Sequence, residues 1–190
     1  MTELTLILDR SGSMQSIASA AIGGFNAFIE AQRREPEPAR FSLVLFDDRY
    51  EVPWKSVPLE EVPLLTEKTF IPRGSTALLD AIGRTLKKMT DSFALRQPAN
   101  RPDKVIVAIL TDGQENASRT YTQLHIADLI AARRAAGWEF VFLAANQDAI
   151  ASATALNIPR DDAATFTSDS AGIDAVFQEM ATRVSEKRTK

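Results

Sequence analysis

The 190-residue chain has no cysteine and one histidine. Without thiols there can be no disulfide, no thiolate metal ligand and no cysteine nucleophile. A lone histidine excludes any mechanism that needs two. No charge of one sign dominates: 22 Lys and Arg face 25 Asp and Glu, for a net charge of -3. Such a balance gives no electrostatic reason to expect a nucleic-acid or anionic-membrane partner. No apolar run approaches the roughly 20 residues that cross a bilayer. Met1-Thr2-Glu3 carries no basic segment ahead of an apolar one. We therefore expect a cytoplasmic protein that contacts neither nucleic acid nor membrane. With 45% hydrophobic and 25% charged residues the composition is that of a globular chain, and the length suits a single domain over residues 1–190.

Apolar periodicity predicts alternating strands and helices. Leu4–Leu8 is a short apolar run ending at Asp9, a strand buried on both faces. After the turn Arg10-Ser11-Gly12-Ser13, Ile17, Ala21, Phe25, Phe28 and Ile29 recur at helical spacing up to the Glu35-Pro36-Glu37-Pro38 break. Arg40–Phe46 and Tyr50–Trp54 are strands separated only by Asp47-Asp48-Arg49, so they form an antiparallel hairpin. Residues 54–74 are proline-rich and irregular, with room for one helical turn near Glu60-Glu61. Ala77–Met89 is a helix, and Lys104–Leu110 the strongest strand, placed centrally. A helix over Thr122–Ala136 stops at Gly137. Glu139–Ala144 is a strand, Asp148–Leu156 a helix and Ala163–Phe166 a weak last strand. Asp169 or Ser170 caps a final helix reaching toward Arg183, and the basic end Glu186–Lys190 is expected to fray. The pattern predicts an α/β, Rossmann-like fold: a six-stranded, mostly parallel sheet, one antiparallel edge strand at Tyr50–Trp54, and helices on both faces.

In open α/β sheets the ligand crevice lies at the carboxyl ends of the strands. There the chain delivers Asp9, Ser11 and Ser13 after the first strand, Gly74-Ser75-Thr76 before a helix, Thr111-Asp112 after the central strand, and Asn146 and Asp148 after the strand at Glu139–Ala144. Nearly every group is an oxygen donor. Hydroxyls and carboxylates without nitrogen or sulfur suit a hard cation such as Mg²⁺. Asp9, Ser11 and Ser13 alternate in a tight turn and can converge on one point. The same residues also make good helix caps or turns. Asn146 and Asp148 are expected to start a helix, Glu115 and Asn116 to be solvated loop residues, Asp47-Asp48 to form the hairpin turn, His125 to lie on a helix surface, and Trp54 and Trp138 to anchor the core or a strand edge.

Asp9-Arg10-Ser11-Gly12-Ser13 directly after an apolar strand resembles the DxSxS signature of von Willebrand factor A domains. Gly74-Ser75-Thr76 is similar to that family's isolated threonine motif, and Thr111-Asp112-Gly113 to its third motif. All occur in the family's order, and the resemblance covers essentially the whole chain. It implies a metal-ion-dependent adhesion site in which Ser11, Ser13 and Thr76 are hydroxyl ligands. Asp9 and Asp112 would bind directly or through water. Ser75 competes with Thr76, but the family's motif puts the ligand third in the triplet. The implied ion is Mg²⁺, with Mn²⁺ or Ca²⁺ as substitutes, and the implied partner is a protein presenting a Glu or Asp carboxylate. In the family's larger members the last helix shifts when the site engages a ligand; here that is the helix near Gly172–Val184. Stand-alone intracellular bacterial members serve as adaptors for ATPase machines or in stress resistance, including tellurite resistance.

The resemblance thus implies a binding module and no enzyme. The alternative is a haloacid-dehalogenase-like phosphohydrolase with Asp9 as nucleophile. That chemistry wants a second carboxylate two residues on as general acid, where this chain has Ser11. A serine hydrolase would have His125 as its only base and lacks a G-x-S-x-G elbow. A Walker A sequence is absent.

Overall fold

The computed structural model describes residues 1–145 and 149–189. Its strands are β1 (Thr2–Asp9), β2 (Ala39–Phe46), β3 (Tyr50–Pro58), β4 (Lys104–Thr111), β5 (Glu139–Ala145) and β6 (Ala163–Phe166). The helices are α1 (Ala18–Arg33), α2 (Leu78–Ala94), α3 (Gln123–Ala135), α4 (Ala149–Ala155) and α5 (Ser170–Thr189). The sheet order is β3-β2-β1-β4-β5-β6. Every neighbouring pair is parallel except β2–β3, so the antiparallel strand stands at one edge as the hairpin required. Asn146 and Asp148, and the start of the helix expected from Asp148, lie outside the described residues.

Alternation along β1 divides the core. Leu4, Leu6 and Leu8 point into one apolar layer with Phe25, Phe28 and Ile29 of α1 and Ile173, Phe177 and Val184 of α5. Ile7 points into the other, with Ile82 and Leu86 of α2, Ile126 and Ile130 of α3 and Ala153 of α4. Each fully buried aliphatic side chain contributes about 1.5–3 kcal/mol, so the period of two in β1 determines which face each helix covers. Parallel register brings the strand ends level: Asp9 pairs with Phe46 and Leu8 with Leu110. Asp9 and Thr111 thereby reach the same rim. Among the described residues, no helix is long and apolar enough to cross a membrane.

Several boundaries differ from those read in the sequence. β3 continues to Pro58 through irregular pairing near Leu43, and α2 runs on to Ala94. A 3-10 turn does form at Leu59–Glu61. The last helix is capped by Asp169, whose Oδ1 accepts from Gly172 N at 2.8 Å. The larger correction is at residues 186–189, which continue the helix where fraying was expected. α5 is helical to Thr189, with Lys187 8% and Arg188 3% exposed. Arg188 Nη1 donates to the carbonyl of Gln32 at 2.7 Å and to its Oε1 at 3.0 Å, while Nη2 donates to the carbonyl of Glu37. Lys187 pairs with Asp162 at 2.7 Å and Glu139 at 3.0 Å. Any shift of α5 along its axis has to break these bonds. His125 is exposed, as expected. Trp54 packs on Phe25 at 5.8 Å and Trp138 on Phe93 at 5.7 Å between ring centroids, both as anchors.

Replacing a buried, hydrogen-bonded cation strands its acceptors. Arg188→Ala should therefore lower unfolding free energy by about 2–4 kcal/mol in urea titrations. It should also raise amide hydrogen exchange over residues 181–189. An unchanged exchange profile would show that the helix end is held without Arg188.

Candidate metal centre

Three loops meet at the carboxyl edge of β1 and β4. Asp9 closes β1 and is fully buried. Its Oδ1 accepts from Ser11 N at 2.7 Å, and its Oδ2 accepts from Thr111 Oγ1 at 2.6 Å. Ser11 and Ser13 follow on either side of Gly12, with hydroxyls 3.0 Å apart, and Ser13 Oγ donates to Asp112 Oδ1 at 2.7 Å. Met14 and Ile17, buried in the core, anchor the 3-10 segment that carries Ser13. Thr76 arrives from the loop before α2 and is 3% exposed. A Cβ placed on Gly113 would stand 3.0 Å from Thr76 Oγ1, 3.6 Å from Ser13 Oγ and 3.9 Å from Ser11 Oγ. Three hydroxyls from two of these loops thus surround one small space beside Asp112, which the third loop supplies.

These hydroxyls are spared the capping duty that Ser and Thr usually take. The N-cap of the 3-10 segment is Ser11, which makes no side-chain cap, and α1 begins after Ile17. The N-cap of α2 is Ala77. Its amides are capped from the loop after β4 instead: Leu79 N donates to Glu115 Oε2 and Asp80 N to Ser118 Oγ, both at 2.9 Å. Asn116 Oδ1 accepts from Thr76 N at 2.9 Å, and Asn116 N donates back to Thr76 O at 3.0 Å. Asp80 returns the tie by accepting from the amides of Arg119, Thr120 and Tyr121. Glu115 and Asn116 are thus brackets that hold the threonine loop; Asn116 is exposed, as expected of a loop residue, and Glu115 is half-buried.

The rim has a second bracket that sequence reasoning missed. Asp47 is fully buried and accepts from Arg10 Nε at 3.1 Å and Arg73 Nε at 3.0 Å. It also accepts from Arg49 N at 2.6 Å, and its carbonyl accepts from Ala77 N at 3.0 Å. Both arginines continue to Glu51 Oε1, at 2.7 and 2.6 Å, and they hold its carboxyl down at about 2. Gly74 adopts a φ of +66°, and an added Cβ would fall 2.2 Å from Asp48 Oδ1. Only glycine fits there. Asp47 is therefore more than a hairpin turn residue.

The electrostatics are one-sided. Burial pushes the Asp9 carboxyl up to about 6, against hydrogen bonds from Thr111 and Ser11, and the Asp112 charge adds to the rise. Burial likewise raises Asp112, against its bond from Ser13. Asp112 Oδ2 is buried with no hydrogen-bond partner among the described residues. Two neighbouring carboxylates, an orphaned carboxylate oxygen and three converging hydroxyls form an oxygen donor set that fits a hard dication. No group of three or more His, Cys, Asp and Glu side chains suited to a metal occurs among the described residues, so hydroxyls must complete any such site.

No protein-family model matches the chain, and no curated protein does. Solved structures show the fold. Proximal thread matrix protein 1 from the mussel byssus, with a zinc-occupied MIDAS motif, superposes with a TM-score of 0.65 at 16% identity. The match covers 97% of this chain and 46% of that one. A von Willebrand factor type A protein from Catenulispora acidiphila gives 0.60 at 16% identity, over 95% and 41% of the two chains. The manganese-loaded TRAP protein of Plasmodium vivax gives 0.64 at 15% identity, over 95% and 73%. This chain spans less than half the length of the first two. Its fold is the von Willebrand factor A fold.

The raised Asp9 carboxyl makes a prediction for the metal-free protein. The folded state holds that proton more tightly than the unfolded chain, so this contribution to stability is lost as pH rises from about 4 to about 6. Asp9→Asn escapes the loss, and its amide can donate to Thr111 Oγ1 while that hydroxyl turns to the Gly113 carbonyl, 3.1 Å away. In EDTA, the stability of Asp9→Asn relative to the native chain should climb with pH over that window and level off at about 2–3 kcal/mol. Urea titrations at several pH values check this; a difference independent of pH would refute it.

Proposed function

We propose that this chain is a single-domain, non-enzymatic binding module that grips an acidic residue of a partner protein through a divalent cation. The observation that carries the reading is the convergence of the Ser11, Ser13 and Thr76 hydroxyls beside Asp112, with none of the three spent on a helix cap. Ser11, Ser13, Thr76 and Asp112 would hold the ion, and Asp9, buried behind them, would add charge through an intervening water. When bound, Mg²⁺, or Mn²⁺ or Ca²⁺ in its place, supplies a Lewis-acidic position open to an outside carboxylate. The chain's own contribution is preorganisation. Asn116 and Glu115 fix the threonine loop, Asp47 fixes the loops on either side, and the neutral hydroxyls leave the cation's charge incompletely balanced. The zinc- and manganese-bearing structures of the same fold support this choice of site. A cytoplasmic setting and service as an adaptor in an ATPase or tellurite-type stress-resistance system complete the proposal, on the likeness of the three motifs to stand-alone members of the family.

The phosphohydrolase reading fares worse on geometry. Asp9 has no exposed surface and both its oxygens already accept hydrogen bonds. An in-line nucleophile must reach the phosphorus atom. Ser11 also cannot replace the general acid.

Gly113→Ala separates site from fold. Its methyl group would occupy the space among the three hydroxyls without a forbidden backbone angle. In differential scanning, the native protein should gain several degrees with millimolar Mg²⁺ through preferential binding to the folded state. Gly113→Ala, with its Cβ 3.0 Å from the Thr76 hydroxyl, should melt somewhat lower in EDTA, remain folded and show no further rise with Mg²⁺. Partner capture should likewise fall with EDTA and with Thr76→Ala. A melting point indifferent to every divalent cation would overturn the proposal.

A further inference from the structure

Beside Thr76 lies a second feature that the cation does not use. A pocket of about 640 Å³ opens between the β2–β3 turn, the start of α2 and the loop after β4. Ser75 and Asn116, the immediate neighbours and brackets of Thr76, line it, so it adjoins the candidate metal centre. Arg49, Arg84 and Arg119 also line it. Each is exposed, and among the described residues none of the three side chains has a hydrogen bond or ion pair. That is unusual at this rim, where Arg10 and Arg73 form ion pairs with Asp47 and Glu51. The acidic residues of the lining are Asp48 and Asp80; Asp80 accepts from three backbone amides, and against the effect of burial these bonds and the Arg84 charge hold its carboxyl below the usual carboxylate value. Three guanidiniums against two carboxylates leave this pocket net positive in a chain whose net charge is -3.

We infer that this pocket is an anion subsite that receives a second carboxylate from the same acidic segment whose first carboxylate docks at the cation. The inference rests on the binding reading above and narrows its partner to a segment carrying at least two Glu or Asp residues within a few positions. We assign a carboxylate because the same acidic segment already supplies one to the cation. A backbone-amide phosphate cradle at the start of α2 is excluded, since Leu79 N and Asp80 N are taken by Glu115 and Ser118, and side-chain guanidiniums accept carboxylate as readily as phosphate. What remains is three side-chain forks with the Ser75 and Thr120 hydroxyls, a set that pairs with carboxylates in the plane of each guanidinium.

The test uses two fluorescein-labelled peptides of equal length in a Gly/Ser background, one with a single Glu and one with four. In Mg²⁺ the native protein should bind the four-Glu peptide at least about tenfold more tightly than the one-Glu peptide. The triple variant Arg49→Gln, Arg84→Gln, Arg119→Gln should reduce that preference to within about twofold, leaving one-Glu affinity and the Mg²⁺ thermal shift intact. Arg34→Gln, Lys68→Gln, Arg160→Gln removes the same charge from exposed positions outside the pocket and should keep the preference. A triple variant that retains the preference, or a control variant that loses it equally, overturns the subsite. So does inorganic phosphate that displaces the four-Glu peptide at lower concentration than glutarate. If EDTA changes nothing while the triple variant still loses the four-Glu peptide, the subsite stands and the cation reading fails.

Discussion

The arrangement of this rim depends on one buried carboxylate. Asp47 lies at the end of β2, yet it holds Arg10 from the loop after β1 and Arg73 from the loop before α2, and its carbonyl holds Ala77. A buried charge is tolerated only when its partners are close and nearly all its lone pairs are used. Asp47 meets that condition by drawing two guanidiniums and an amide onto itself. In doing so it sets the spacing of the segments that carry Ser11, Ser13 and Thr76. Of the hydroxyls, Ser13 ties its loop to Asp112 at 2.7 Å, and the groups around them supply the rest of the rigidity.

The same logic explains why residues suited to capping do not cap. Glu115, Asn116 and Ser118 take over the start of α2, which leaves the Thr76 side chain free to face Ser11 and Ser13. The price is visible one layer below, where Asp9 and Asp112 lie buried close together and, among the described residues, no Lys or Arg offsets their charge. Local rules broken at one place and compensated around it are what a binding site looks like in energetic terms. A fold optimised only for stability would have paired these acids or replaced them.

Much of this was legible in the sequence. β1, β4 and the helices announce themselves by period, and the hairpin at Asp47–Arg49 fixes which strand runs antiparallel. The five oxygen residues stand beside Gly, Ser and Thr at strand ends, where topology brings them together. The brackets were not legible. Arg10, Asp47 and Arg73 are separated by 37 and 26 positions, and nothing in a single sequence says which charges meet. Glu115 and Asn116 sit in a polar loop that looks solvated, because their partners are backbone amides, which have no sequence signature. The basic end misled for a related reason. Lys187 and Arg188 look like a frayed tail until Gln32, Glu139 and Asp162 are seen around them.

Arginine usage divides along the same line. Arg10 and Arg73 pair with Asp47 at the rim, whereas Arg49, Arg84 and Arg119 line a pocket without a side-chain hydrogen bond or ion pair among the described residues. A cation with one open position selects for a carboxylate but hardly for its surroundings, since every exposed Glu or Asp offers the same group. Discrimination among acidic partners therefore has to come from what lies next to the cation. In the proposed reading, the guanidiniums of Arg49, Arg84 and Arg119 would provide it in two ways: repelling basic flanks and orienting acidic ones before contact. The division of labour follows from burial alone. Charges inside the rim can be paired for rigidity, and only those left at its mouth are available to read a second molecule.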